Sequence, residues 1–216
     1  MSLFHITQSQ VKNMSTTGII LAGGHSSRMG ENKALLKIHG KTVIERIADS
    51  LASYTSQVIV VANKQEEYRF LGLPVVSDKW IEKGPLAGIQ AGLSASSTPK
   101  NLIVACDMPF LSVDLGRILL EELKCRQAAV PEMEGRLHPL FAVYRKDAKE
   151  AAEHALMNNQ LRIREFLNKI DTAILRDEEL KKRGFLSKDA YFFNMNHPDE
   201  YRQALKMAAE EEGKSN

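Results

Sequence analysis

The chain has 216 residues, 44% of them hydrophobic and 26% charged, which is enough for one substantial core and ordinary for a globular protein. Lys and Arg are scattered among Asp and Glu and the net charge is only +2, which excludes a broad polyanion-binding face. Any basic site is therefore local, and a nucleic-acid-binding role is disfavoured. The two cysteines, Cys106 and Cys125, form neither a disulfide framework nor a zinc-ligand spacing, and read as structural thiols of a reducing compartment. No apolar run approaches the ~20 residues that cross a bilayer, and Met1 to Met14 lacks a secretory apolar core. A cytoplasmic protein without membrane association is expected. Residues 1–16 read as a disordered extension, 17–210 as one domain and 211–216 as a disordered tail.

In chain order, Thr17 to Ala22 is a short β-branched apolar run ending in Gly23-Gly24, a buried strand followed by a tight loop. Thr42 to Leu51 has apolar residues at Val43, Ile44, Ile47, Ala48 and Leu51, the spacing of one helix face. Gln57 to Ala62 is a second buried strand, and Leu73 to Ser77 a weaker third. Gly84 to Leu93 predicts a helix with Pro85 in its first turn, its glycines and alanines suited to close packing on a sheet. Asn101 to Cys106 predicts a fourth strand running into Asp107. Ser112 then caps a helix that ends at Leu123. Apolar segments at Ala128 to Val130 and Leu140 to Tyr144 precede helices over Ala148 to Leu156 and Leu161 to Leu167. Glu178 to Arg183 reads as a solvated helix; Tyr191 to Asn194 and a helix from about Pro198 close the chain.

Strands alternating with helices imply a three-layer, Rossmann-like α/β fold, a mostly parallel sheet flanked by helices. Ligands of such sheets sit beyond the carboxyl ends of the strands, where Gly23, Asn63 and Asp107 fall. The segment Leu21-Ala-Gly-Gly-His-Ser-Ser-Arg-Met-Gly-Glu-Asn-Lys33 carries the strongest chemistry. Gly23, Gly24 and Gly30 let backbone N–H groups approach phosphate oxygens, Ser26 and Ser27 add hydroxyls, and Arg28 and Lys33 supply positive charge. A flexible solvated turn is the alternative reading. The spacing is neither the dinucleotide fingerprint nor the Walker-type phosphate loop. Asp107, at a strand's carboxyl end opposite this loop, suits Mg²⁺ with phosphates completing the shell; a turn Asp before Pro109 is the plainer alternative.

The pattern L-A-G-G-x-S-x-R-M-G-x-x-K resembles the nucleotidyltransferases, and among them the molybdenum cofactor guanylyltransferases. The resemblance runs from Thr17 to about Asp199 and includes Lys33-Ala-Leu-Leu36, Gly84-Pro-Leu-Ala-Gly88, Asp107-Met-Pro-Phe110, His138-Pro-Leu-Phe141 and Asn194-Met-Asn-His-Pro198. It implies nucleotide binding by Leu21, Ala22, Gly23, Lys33, Asn63, Asp78 and Asp107. It implies catalytic roles for Arg28, Lys33 and Asp107, with Asp107 holding Mg²⁺, for which Mn²⁺ can substitute. His138, Asn194 and Asn196 become candidates for binding the acceptor. Many relatives carry Asp where this chain has Asn32, a departure that bears on the geometry of the loop.

The implied reaction transfers GMP from GTP to molybdopterin or Mo-molybdopterin and releases pyrophosphate. An upstream molybdenum-insertion protein and acceptor molybdoenzymes are the implied handover partners. The competing readings are a cytidylyltransferase acting on molybdopterin, a sugar-1-phosphate nucleotidyltransferase, and a catalytically silent nucleotide-binding module.

Overall fold

The computed structural model describes residues 13–23, 32–187 and 189–213. Strand β1 spans Asn13–Leu21, and a 3-10 turn at Lys33–Leu35 leads into a short hairpin of β2 (Lys37–Ile38) and β3 (Lys41–Thr42). Thr42 then starts helix α1 (Val43–Ala52). Its hydroxyl accepts the Glu45 N–H and the Glu45 carboxylate accepts the Thr42 N–H, so two otherwise orphaned donors are met reciprocally. The buried face of α1 is Val43, Ile44, Ile47, Ala48 and Leu51, as the spacing predicts. Strand β4 (Thr55–Val61), a 3-10 segment at Gln65–Leu71 and strand β5 (Val75–Val76) follow.

Helix α2 (Pro85–Ala95), strand β6 (Lys100–Ala105) and helix α3 (Val113–Glu122) come next, with the Ser112 hydroxyl accepting the Leu115 N–H at 3.2 Å as the predicted cap. Strands β7 (Ala128–Met133), β8 (Arg136–Leu137) and β9 (Phe141–Arg145) run on without an intervening helix. Helices α4 (Ala148–Met157) and α5 (Ile163–Leu167), strand β10 (Thr172–Arg176), helix α6 (Asp177–Lys182), a 3-10 turn at Asp189–Phe192 and helix α7 (Pro198–Gly213) complete the order.

The main sheet runs β10-β7-β9-β6-β1-β4-β5, with β8 paired to β7. The β1–β4, β1–β6, β4–β5 and β7–β10 pairs are parallel. Strand β9 alone on this path runs against its neighbours β6 and β7. The cause is local: β8 and the short 138–140 link bring the chain straight back beside β7, and antiparallel neighbours need no crossover helix.

Successive strand residues face opposite layers. Ile20, Val60, Val104 and Val143 pack with α1, α3, α6 and α7, while Ile19, Val61, Ile103 and Ala142 pack with α2, α4 and α5. A sheet covered on both faces reads in sequence as unbroken apolar runs, which is why the central strands were legible.

Three boundaries differ from the sequence reading. Residues 13–16, assigned there to the extension, begin β1: polar Thr16 and Thr17 are fully buried, and the Thr17 hydroxyl bonds those of Thr98 at 2.8 Å and Ser96 at 3.0 Å. Apolarity marks only the second half of this strand, because the residues buried in the first are the threonines Thr16 and Thr17 rather than aliphatic side chains. Strand β10 carried no signal, since of its five residues only Leu175 is buried. Helix α7 continues to Gly213, past the expected end at 210.

Gly92 lets α2 lie against β1. A Cβ there would stand 2.5 Å from Ile19 Cγ2 and 3.3 Å from Val61 Cγ2. Gly92→Ala is therefore expected to destabilise the fold. The overpacking cost of about 1–3 kcal/mol outweighs a helix-propensity gain of at most ~1 kcal/mol. A denaturant titration checks this: the midpoint falls, whereas a rise would mean that β1 yields freely.

Candidate active site at the carboxyl ends of the strands

Parallel strands β5, β4, β1 and β6 deliver Asp78, Asn63, Ala22-Gly23 and Asp107 to one rim of the sheet. The end of β1 is held firmly. Cys106 N–H donates to Leu21 O at 3.1 Å and Ala22 N–H to Val61 O at 2.9 Å, so the phosphate-loop candidate leaves a rigid base. Leu21 itself is buried and Gly23 exposed. Gly24, Ser26, Ser27, Arg28 and Gly30 lie outside the described residues.

The predicted residues form three groups. In the first, Asn63 and Asp78 bind each other: the Asn63 amide donates to Asp78 Oδ2 at 3.1 Å and the Asp78 N–H to Asn63 Oδ1 at 3.2 Å. Asp78 Oδ1 also accepts the Trp80 N–H at 3.0 Å, forming a turn that fixes the carboxylate.

The second group joins Lys33, Asp107 and Asn196. Lys33 Nζ donates to Asn196 Oδ1 at 2.8 Å, across 163 residues of chain. The Met195 N–H donates to Asp107 O at 3.0 Å and the Met195 side chain is fully buried, which pins the approach to α7 over the end of β6. Burial pushes the Asp107 carboxyl above the usual range; the nearby Lys33 ammonium opposes that shift and the Glu200 charge adds to it. One carboxylate oxygen, Oδ1, is buried with no hydrogen-bond donor. That oxygen, beside a lysine and at the mouth of the loop, fits a cation. Among the described residues no three His, Cys, Asp or Glu side chains cluster, so a metal here would draw most ligands from phosphates and water, as Mg²⁺ commonly does.

In the third group, His138 packs on Phe192 with ring centroids 4.2 Å apart, while the Asn194 amide turns back to Phe192 O at 3.3 Å. Burial, helped by the Arg136 charge, lowers the His138 pKa, so the imidazole is neutral near pH 7. His138 is thus brought to Asn194 through Phe192. The thiol of Cys106 is pushed up to about 12 by burial, foremost, and by the neighbouring Asp107 charge, so it stays protonated. Arg162 pairs with Glu165 on an exposed face.

Other residues on this rim had escaped the sequence reading. Glu200 accepts the N–H groups of Asn196 and, at 2.8 Å, His197, and so shapes the segment that meets Lys33. A Glu in the first turn of α7 was a usable signal. Tyr68, whose hydroxyl reaches Ala22 O at 3.1 Å, had none, because nothing in the Gln65–Leu71 segment marks it as facing β1.

Residues 18–173 match the family described as MobA-like NTP transferase domain. The chain belongs to that family. This NTP transferase is 37% identical to a protein of Pelotomaculum thermopropionicum named "Probable molybdenum cofactor guanylyltransferase", over 90% of this chain and 94% of the relative. A Carboxydothermus hydrogenoformans protein of the same name is 36% identical, over 88% and 95%. The crystal structure of molybdopterin-guanine dinucleotide biosynthesis protein A from Archaeoglobus fulgidus superimposes with a TM-score of 0.76 at 25% identity, covering 90% of this chain and 99% of that one. A Thermus thermophilus 2-C-methyl-D-erythritol 4-phosphate cytidylyltransferase, 21% identical with a TM-score of 0.65, shares the fold. The expected three-layer nucleotidyltransferase architecture and the expected family are both met. No helix among the described residues is long and apolar enough to cross a membrane.

Two measurements follow from the site electrostatics. A buried carboxylate oxygen without a donor costs stability, so Asp107→Asn is expected to raise the thermal midpoint of the metal-free protein; a lower midpoint would mean that the charge is well solvated. His138, with a folded-state pKa below its unfolded value of about 6.5, contributes stability present above that pH and lost as pH falls through the folded value. His138→Gln should flatten the decline of the thermal midpoint as pH falls below about 6.5. An unchanged slope would place the acid sensitivity elsewhere.

Proposed function

We propose that this NTP transferase moves GMP from GTP to molybdopterin or Mo-molybdopterin, forming the guanine dinucleotide cofactor and releasing pyrophosphate. The convergence of Lys33 and Asp107 at the loop-bearing rim supports the reading, since a pure nucleotide binder has no need of a half-buried, unpaired carboxylate. The guanylyltransferase names of its relatives favour GTP over CTP, whereas the cytidylyltransferase neighbours share only the fold.

The chemistry is a displacement at the α-phosphorus. A terminal phosphate oxygen of the acceptor forms the new P–O bond, the bond to the β-phosphate bridging oxygen breaks, and pyrophosphate carries away the electron pair. A phosphate monoester has a second pKa near ~6, so the nucleophile is already largely ionised and needs no general base. Neutral His138 then serves the acceptor's shape, with Asn194 and Asn196 as hydrogen-bonding neighbours. Asn63 and Asp78 would meet the nucleotide from the β4–β5 side. Lys33 and Arg28, with the loop amides, offset charge on the departing pyrophosphate.

Asp107 would hold Mg²⁺, or Mn²⁺ in its place; the ion supplies charge neutralisation where triphosphate and acceptor phosphate meet. Positioning and electrostatics therefore carry most of the acceleration. The cytoplasm suits these thiols and substrates, and an upstream molybdenum-insertion protein and acceptor molybdoenzymes are the handover partners that such a product implies.

Pyrophosphate release from GTP plus molybdopterin, compared with CTP, tests the assignment. Asp107→Ala should cut turnover by about 10²-fold or more with the fold intact, and Lys33→Ala should raise the KM for GTP and lower kcat. Preference for CTP would convert the assignment to cytidylyl transfer. Absence of product with either nucleotide would leave only a binding module.

A further inference from the structure

Both described ends of the loop between β1 and Lys33 meet at one buried hydroxyl. Tyr68 is 2% exposed, and burial raises its hydroxyl pKa to about 12, so it is a neutral donor. It donates its single proton to Ala22 O at 3.1 Å, where the loop begins, and accepts from Asn32 Nδ2 at 2.8 Å, where the loop ends. The orientation of the Asn32 amide is dictated locally. Its Oδ1 accepts the Ala34 N–H at 3.1 Å as cap of the Lys33–Leu35 turn, so its nitrogen must face Tyr68 and Glu67. The second amide hydrogen goes to Glu67 Oε2 at 2.6 Å. Donors and acceptors therefore run one way: Asn32 to Glu67 and to Tyr68, Tyr68 to Ala22.

We propose that Glu67, Tyr68 and Asn32 form a latch that fixes Ala22 and Lys33 relative to each other at the nucleotide site, and that Asn rather than Asp at position 32 is required here because Glu67 is its neighbour. The proposal rests on the reading of Ala22 and Lys33 as residues of the triphosphate site. An Asp at 32 has no hydrogen to give. Its carboxylate would face that of Glu67 at hydrogen-bond distance, and it would draw the Tyr68 proton away from Ala22 O. Lys33 follows Asn32 directly, so any movement at the cap is passed to the ammonium that bonds Asn196. These are positioning residues: none of their groups need touch the substrate.

The test is steady-state kinetics of pyrophosphate release in GTP and molybdopterin with Mg²⁺, beside the thermal midpoint of each variant. Tyr68→Phe keeps the buried ring and removes the bridge; the KM for GTP should rise about fivefold or more, while the KM for the acceptor stays within about twofold. Asn32→Asp should raise the KM for GTP roughly tenfold or more. Asn32→Asp combined with Glu67→Gln should recover part of that loss, because the Gln amide can donate to the new carboxylate. A purely structural role would lower the midpoint and leave both KM values of the folded enzyme unchanged, and that result overturns the latch. So would an equal rise in both KM values, or no recovery in the double variant. If the wild-type protein releases no pyrophosphate from GTP, it is the underlying functional reading that fails, and the unchanged KM outcome is not reached.

Discussion

Asp107 is the point on which the rest of the rim depends. A carboxylate largely removed from water, with one oxygen lacking any donor, is unfavourable unless positive charge stands near it. Here that charge comes from Lys33, which is itself steered by Asn196. Three distant stretches, at the end of β6, the start of the 33–35 turn and the approach to α7, are thereby organised around one charge. The Met195 N–H to Asp107 O bond makes the approach segment part of the same unit.

The sheet explains why such an arrangement sits where it does. With helices packed on both faces, side chains along the strands alternate into two apolar layers and leave no place for a charged group. Polar chemistry is pushed to the strand ends, where backbone pairing stops. The three groups of candidate residues occupy neighbouring stations along that edge: Asn63 with Asp78, Lys33 with Asp107 and Asn196, and His138 with Phe192 and Asn194. The Tyr68 bridge and the backbone bonds at the end of β1 fix Ala22 at the middle of that edge.

Function and stability pull in opposite directions at this edge. Asp107, with one oxygen lacking a donor, and neutral, half-buried His138 both titrate away from their ordinary values because burial disfavours their charged forms. The core supplies the compensation, through close contacts such as α2 on β1 at Gly92 and the reciprocal cap that starts α1.

Much of this was legible in the chain itself. The central strands, α1 to α4 and the cap at Ser112 follow from periodicity and local hydrogen-bond chemistry, which act within a few residues. Lys33, Asn63 and Asp107 were marked by their position immediately after apolar strands or a glycine-rich loop. The polar start of β1, edge strand β10, the reversal of β9, and the roles of Tyr68, Glu67 and Glu200 were not visible in this way. The first three depend on which strand lies alongside. The last three depend on contacts across the fold, apart from the partial signal of Glu200. Local sequence determines which segments can be strand, helix or loop, because those preferences arise from neighbouring side chains and backbone sterics. Only tertiary packing decides which ends meet, because a hydrogen bond such as Tyr68 to Ala22 joins residues that have no influence on each other until the chain has folded.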